Sequence, residues 1–173
     1  EDFAGRYIPF LTAASDRYVT PLIRFQMGAY SAGASFNMLK GQMLLYSYSD
    51  PNVGETLEVF DGLGEALAGL ELTQEDLNGY ILNSISNAAR TKGVLAQPLT
   101  AVRAAIYGYD AQREAQAIND MKNASLEDQQ AAADCLQRII RSGGFATVGN
   151  EDALRAEAEA FDQVISYRSG EQG

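Results

Sequence analysis

An α+β domain, with a small and largely antiparallel sheet packed on one face by helices, is the fold class the sequence predicts. Three observations lead there. Apolar side chains recur at steps of three and four along most of the chain, the spacing of helices with one buried face. Between residues 29 and 49 the step changes to two, and Leu39-Lys40-Gly41 divides that stretch into the arms of a hairpin. A last short apolar run at residues 145–149, after the Gly143-Gly144 stop, reads as a third strand. The 173 residues allow one core and hardly two, and no repeat, low-complexity tract or linker divides them, so residues 1–173 are read as a single domain.

Phe3, Tyr7, Phe10, Leu11, Ala14, Tyr18 and Leu22 mark one face of a first helix over residues 2–25, with Pro21 at a kink or in the last turn. In the strand that follows, Tyr30, Ala32, Ala34 and Phe36 fall on one side and Ala29, Ser31, Gly33 and Ser35 on the other. The smallness of that second set lets another backbone come close. Residues 42–49 return as a tyrosine-rich strand. Asp50 precedes a proline at a first helical position, and Asn52 with Glu55 offers an alternative cap pair. The helix behind spans residues 51–70 and buries Val53, Leu57, Phe60, Leu63 and Leu67.

Thr73 and Asp76 form an imperfect capping box for the next helix, whose inner face is Leu77, Tyr80, Ile81, Ile85 and Ala88. Beyond Gly93 and Pro98 a further helix starts near Leu99 and breaks at Gly108. Ser125 and Asp128 cap a helix that buries Ala132, Leu136, Ile139 and Ile140, and residues 151–167 close the chain as a helix. Three strands make a barely self-sufficient sheet. The chain also opens on Glu1-Asp2, without methionine and already in helical register, so it is expected to be a piece truncated at its N-terminus, with further strands before residue 1.

Composition excludes several functions. Net charge is −10 and the pI near 4.4, so a nucleic-acid partner would need a basic patch that the sequence lacks. No histidine occurs, which removes the commonest general base and zinc ligand. Cys135 lies inside a helical pattern and reads as a small buried apolar residue. No apolar run is long enough to span a membrane. One cysteine and no leader favour a reducing cytoplasm.

The chemistry that remains is at the first helix-to-strand corner. Arg24 carries five donors in a fixed fork, suited to carboxylates or peptide carbonyls, and Tyr30 supplies a phenol six residues later. The plainer alternative is an arginine at a helix C-terminus and a tyrosine half buried on a sheet. Gly28, Gly33 and Gly41 lack the order of a phosphate-binding loop, and backbone geometry accounts for them better. Carboxylate pairs such as Glu55/Glu58, Glu75/Asp76, Glu127/Asp128 and Glu157/Glu159 sit where acids are expected on helix starts and solvated faces, so no metal site is assigned. Tyr46 and Tyr48 need only sheet packing to explain them.

The run from Tyr18 through Pro21, Ile23-Arg24, Gly28-Ala29-Tyr30 and Gly33, followed by YSYSDPN and ETLEVFDG, resembles the last homologous domain of the insulinase/pitrilysin-type zinc metallopeptidases. The similarity is closest to the presequence-protease subfamily, tight over residues 16–63 and weaker to about residue 165. The resemblance implies a metallopeptidase-like half-domain, the carboxy-terminal portion of the fourth unit of a chambered peptidase that degrades unfolded peptides. Zinc would be bound by the absent amino-terminal domain, and no cofactor or catalytic residue is expected here. Arg24 and Tyr30 would hold the substrate backbone, on a corner shaped by Gly28, Ala29 and Gly33. Expected partners are the amino-terminal domains of the parent chain and a peptide substrate, with no nucleic acid and no membrane. Self-association through an exposed sheet edge is also expected. One alternative is a non-proteolytic scaffold or peptide-binding subunit of the same superfamily. An unrelated helical adaptor survives only if residues 29–49 form no hairpin.

Overall fold

Residues 4–89, 102 and 104–166 are described by a computed structural model. The first helix starts as a 3-10 turn, Gly5–Tyr7, becomes α-helical over Ile8–Ala14 (α1), and runs on through Ser15–Gln26 with π-helical hydrogen bonding. Pro21 lies within the π segment rather than in its last turn. A wider turn adds nearly one residue per revolution. The buried face therefore runs Ala14, Val19, Ile23, while Tyr18 and Leu22, expected inside, are only half buried.

Strands β1 (Ser31–Asn37) and β2 (Gln42–Tyr48) pair antiparallel, with Ser31 opposite Tyr48 and Asn37 opposite Gln42, turning at Gly41. The hairpin removes the helical-adaptor reading. Ala32, Ala34 and Phe36, with Met43 and Leu45, pack on the helical core, while Leu44, Tyr46 and Tyr48 face outward and are exposed. A lone hairpin is marginal in water. This one is anchored by its inner face and by two hydroxyls of the π segment. Ala34 N–H donates to Ser15 Oγ at 2.8 Å, and Thr20 Oγ1 donates to the Ala32 carbonyl at 3.2 Å.

The helix expected over residues 51–70 is two: α2 (Val53–Asp61) and α3 (Leu63–Ala68), parted at Gly62. Gln137 sits astride the break, donating to the Asp61 carbonyl at 2.8 Å and accepting from Gly64 N–H at 3.1 Å. The extra step turns Thr56, Val59, Leu63 and Leu67 inward and leaves Val53, Leu57 and Phe60 half buried. Helix α4 (Gln74–Ala88) opens with the expected capping box complete, Asp76 N–H on Thr73 Oγ1 and Thr73 N–H on Asp76.

The start near Leu99 lies outside the described residues; residues 104–107 are helical and Gly108, at φ +61°, ends them. Helix α5 (Ala111–Lys122) is capped by Asp110, and α6 (Gln129–Ser142) follows the Ser125/Asp128 box and buries Cys135 and Leu136. The core of α1, the π segment, α3, α4 and α6 centres on Phe10, Leu11, Ile23, Leu63, Leu77 and Leu136, each fully enclosed.

Two expectations fail at the end of the chain. Residues 145–149 form no strand: they are irregular and have no backbone partner among the described residues, so no ladder holds them extended. The last helix, α7 (Glu151–Ala156), is short and gives way to a 3-10 turn at Ala158–Ala160 rather than running to residue 167.

Candidate functional site

The corner between the π segment and β1 is built by an unusually wide helix ending. Met27 N–H closes on the Leu22 carbonyl at 2.9 Å and Ala29 N–H on that of Ile23 at 3.1 Å. Between them Gly28 takes φ +85°, the left-handed conformation that follows many helix ends and that a side chain resists. Ala29 tucks inside, 4% exposed, and the chain leaves as β1.

Tyr30 N–H donates to the Tyr48 carbonyl at 3.0 Å, and Ser31 is also paired with Tyr48. Two residues of one strand thus face one of the other, as in a bulge. The slip reverses the expected alternation. Tyr30 does not point inward with Ala32 and Ala34 but stands outside, 72% exposed, its ring edge-on to Tyr48 at 6.0 Å. Gly33 is buried where Tyr46 crosses β1: a Cβ there would lie 3.1 Å from the Tyr46 hydroxyl and 3.2 Å from Ser15 Oγ. Its approach is thus to side chains, not to another backbone.

Arg24 is exposed near the end of the π segment, its guanidinium carbon 5.3 Å from the ring centre of Phe25. Among the described residues no carboxylate or carbonyl engages it, and no hydrogen bond joins it to Tyr30. Both groups are free to meet a ligand. Of the plainer alternative, the half-buried tyrosine does not describe Tyr30, whereas Arg24 does lie in the last turn of its helix.

A groove of about 1270 Å³ opens beside the corner, reaching from Gly28 along β2. Its floor is Leu57, Phe60, Ile139 and Ile140, and its far wall is the irregular stretch 143–149. The bonds to Ser15 and Thr20 show that Ala32 and Ala34 turn their backbone groups away from β2. Their partners Ser47 and Leu45, and Met43 beyond, must do the same on the other side. Edge β1 is closed by hydroxyls. Edge β2 carries no such bonds among the described residues and faces the groove.

One supporting network escaped the sequence reading. Asn52, the alternative to Asp50 as cap of α2, stands at the cap position, yet it makes no side-chain cap bond there. Its Nδ2 instead donates to the Met27 carbonyl at 2.7 Å. Asp50 holds Asn52 N–H at 2.9 Å through one oxygen and the Thr56 hydroxyl at 2.6 Å through the other. Cap residues and tertiary anchors are the same residue types, so only the fold distinguishes them.

The residues present do not fit a zinc site. The sequence has no histidine, Cys135 is buried, and among the described residues no three Cys, Asp or Glu side chains converge. Nor is any described helix long and apolar enough to cross a membrane.

A family model described as the PreP C-terminal domain matches residues 6–148. Presequence protease 1, chloroplastic/mitochondrial, of Arabidopsis thaliana is 26% identical over 155 residues, covering 90% of this chain and 14% of that protein. Protein HypA of Clostridium perfringens is 24% identical over 152 residues, 86% of this chain and 15% of its own. A mitochondrial presequence protease of Emericella nidulans reaches 49% identity over 47 residues, 27% of this chain and 4% of that protein. The chain thus spans about one seventh of the length of the first two relatives. With most of its length matched, it belongs to the presequence-protease C-terminal domain family.

Proposed function

We propose that this chain is the carboxy-terminal portion of the fourth homologous unit of a zinc-dependent endopeptidase for unfolded peptides, and that it closes the chamber and clamps substrate backbone through Arg24 and Tyr30. The observation that supports this reading is the exposure of both donors on one short corner, beside the groove and the open β2 edge. An extended peptide lying along β2 would find unpaired backbone groups for its own N–H and C=O groups. The guanidinium and phenol would donate to its carbonyls.

Donors fixed before the reaction favour the oxygen charge that grows as water adds to the scissile carbonyl, and holding the peptide in place lowers the entropic part of the barrier. On this reading zinc belongs to the amino-terminal domains of the parent, which are also the main partners of this one. In the full-length peptidase, Arg24→Ala and Tyr30→Phe should each lower kcat on the order of 10²-fold, the usual loss for one preorganised donor, with zinc content unchanged. Wild-type kinetics in both variants would refute the clamp. A parent whose amino-terminal domains lack zinc-binding residues would be a peptide-binding scaffold instead.

A further inference from the structure

The corner that carries Tyr30 is held from within by the buried Ala29 and by the bonds of Met27 and Ala29 N–H to the π segment. Gly28, at its apex with φ +85°, has no side chain, and an added Cβ would meet nothing within 4 Å. Its further ties come from residues 48–52. At one end the Tyr48 carbonyl accepts Tyr30 N–H at 3.0 Å, and at the other Asn52 Nδ2 donates to the Met27 carbonyl at 2.7 Å. Met27 ends the π segment, where carbonyls have no partner further along the helix.

Asn52 supplies that partner and forgoes the usual capping of its own helix α2, which has no side-chain cap bond. Its donor is aimed from behind. Asp50 takes the Asn52 N–H and the hydroxyl of Thr56, a residue only 3% exposed, so that both oxygens of the carboxylate tie the loop to the core. The loop also contains Ser49 at φ +49°, a conformation that a non-glycine residue keeps only where its surroundings impose it.

We infer that Asn52 is a positioning residue: its bond to Met27, backed by Asp50, sets the corner between Arg24 and Tyr30 and with it the direction in which Tyr30 stands. This rests on the clamp reading, and Asn52 itself touches no substrate.

The test compares Asn52→Asp, Asn52→Ala, Tyr30→Phe, Arg24→Ala and Asn52→Asp/Tyr30→Phe in the full-length peptidase. Asn52→Asp keeps the shape and turns a donor into an acceptor facing a carbonyl; Asn52→Ala removes the donor without adding charge. Both should lower kcat about tenfold or more, the scale of a small misplacement of a catalytic contact, with KM and zinc content little changed. Amide exchange should rise at residues 28–30 and not in α1. Because Asn52 acts through Tyr30, the double variant should be no slower than Tyr30→Phe alone.

Wild-type kcat in Asn52→Ala, or a double variant that loses the product of the two single effects, would overturn the positioning role while leaving the clamp. Wild-type kcat in both Arg24→Ala and Tyr30→Phe would remove the clamp and the positioning role together.

Discussion

Gly28 is where the residue scale decides the geometry. At φ +85° an L side chain is strained by its own backbone, and since nothing lies within 4 Å of an added Cβ, that strain is the whole cost. Gly28→Ala should therefore destabilise the fold by about 1–2 kcal/mol, read as a lower denaturant midpoint at constant slope. An unchanged midpoint would mean that the corner relaxes into another conformation. Arg24 and Gly28 were legible in the sequence because an arginine and a glycine ending a helical pattern carry local meaning. The direction of Tyr30 was not. It depends on a one-residue slip opposite Tyr48, and alternation counted along one strand cannot register a slip in the pairing of two.

At the scale of elements, α4 offers a clean example of local code meeting tertiary contact. Asp76 accepts from the Thr73 hydroxyl and N–H and pairs with Arg17 of the π segment. The Thr73 hydroxyl first, its N–H next, and then the charge and hydrogen bond of Arg17 hold the Asp76 carboxyl below its ordinary value. A carboxylate with a depressed folded value stabilises fully above its unfolded pKa, about 3.9, and loses that contribution as pH falls through the folded one. The thermal midpoint should fall on acidification below about pH 4, and the gap between wild type and Asp76→Asn should close over the same range. A gap constant from pH 7 to pH 2 would exclude the carboxylate as its source.

Arg17 extends the same cluster. It donates to the Tyr80 hydroxyl at 3.1 Å, which in turn donates to Asp16 at 2.9 Å, so the start of α4 is tied to the π segment as well as capped. The two capping boxes were readable because four consecutive residues specify them. The π segment and the break at Gly62 were not, since both follow from what packs against them, Ser15 and Thr20 on β1 and Gln137 on the helix ends, rather than from any periodicity in the chain.

For the whole molecule the decisive asymmetry is between the two sheet edges. Edge β1 is closed by Ser15 and Thr20, whereas β2 directs the backbone groups of Met43, Leu45 and Ser47 into the groove beside residues 143–149. The α+β class and the single hairpin were legible from the change of period at residue 29. The third strand was not a strand, because an apolar run becomes one only when a ladder partner exists, and no described residue provides it. An open edge over an apolar floor is also a template for pairing with another chain. Separated from the rest of a parent protein, this chain should associate through β2 as its concentration rises, and Ser47→Pro should prevent it. Proline removes an N–H that points away from β1, so the hairpin keeps its ladder while the edge loses a donor. Sedimentation velocity over a hundredfold concentration range, with circular dichroism to confirm equal folding, separates the outcomes. A wild-type chain that stays monomeric, or a proline variant that associates equally well, would show that the edge is protected by some other means.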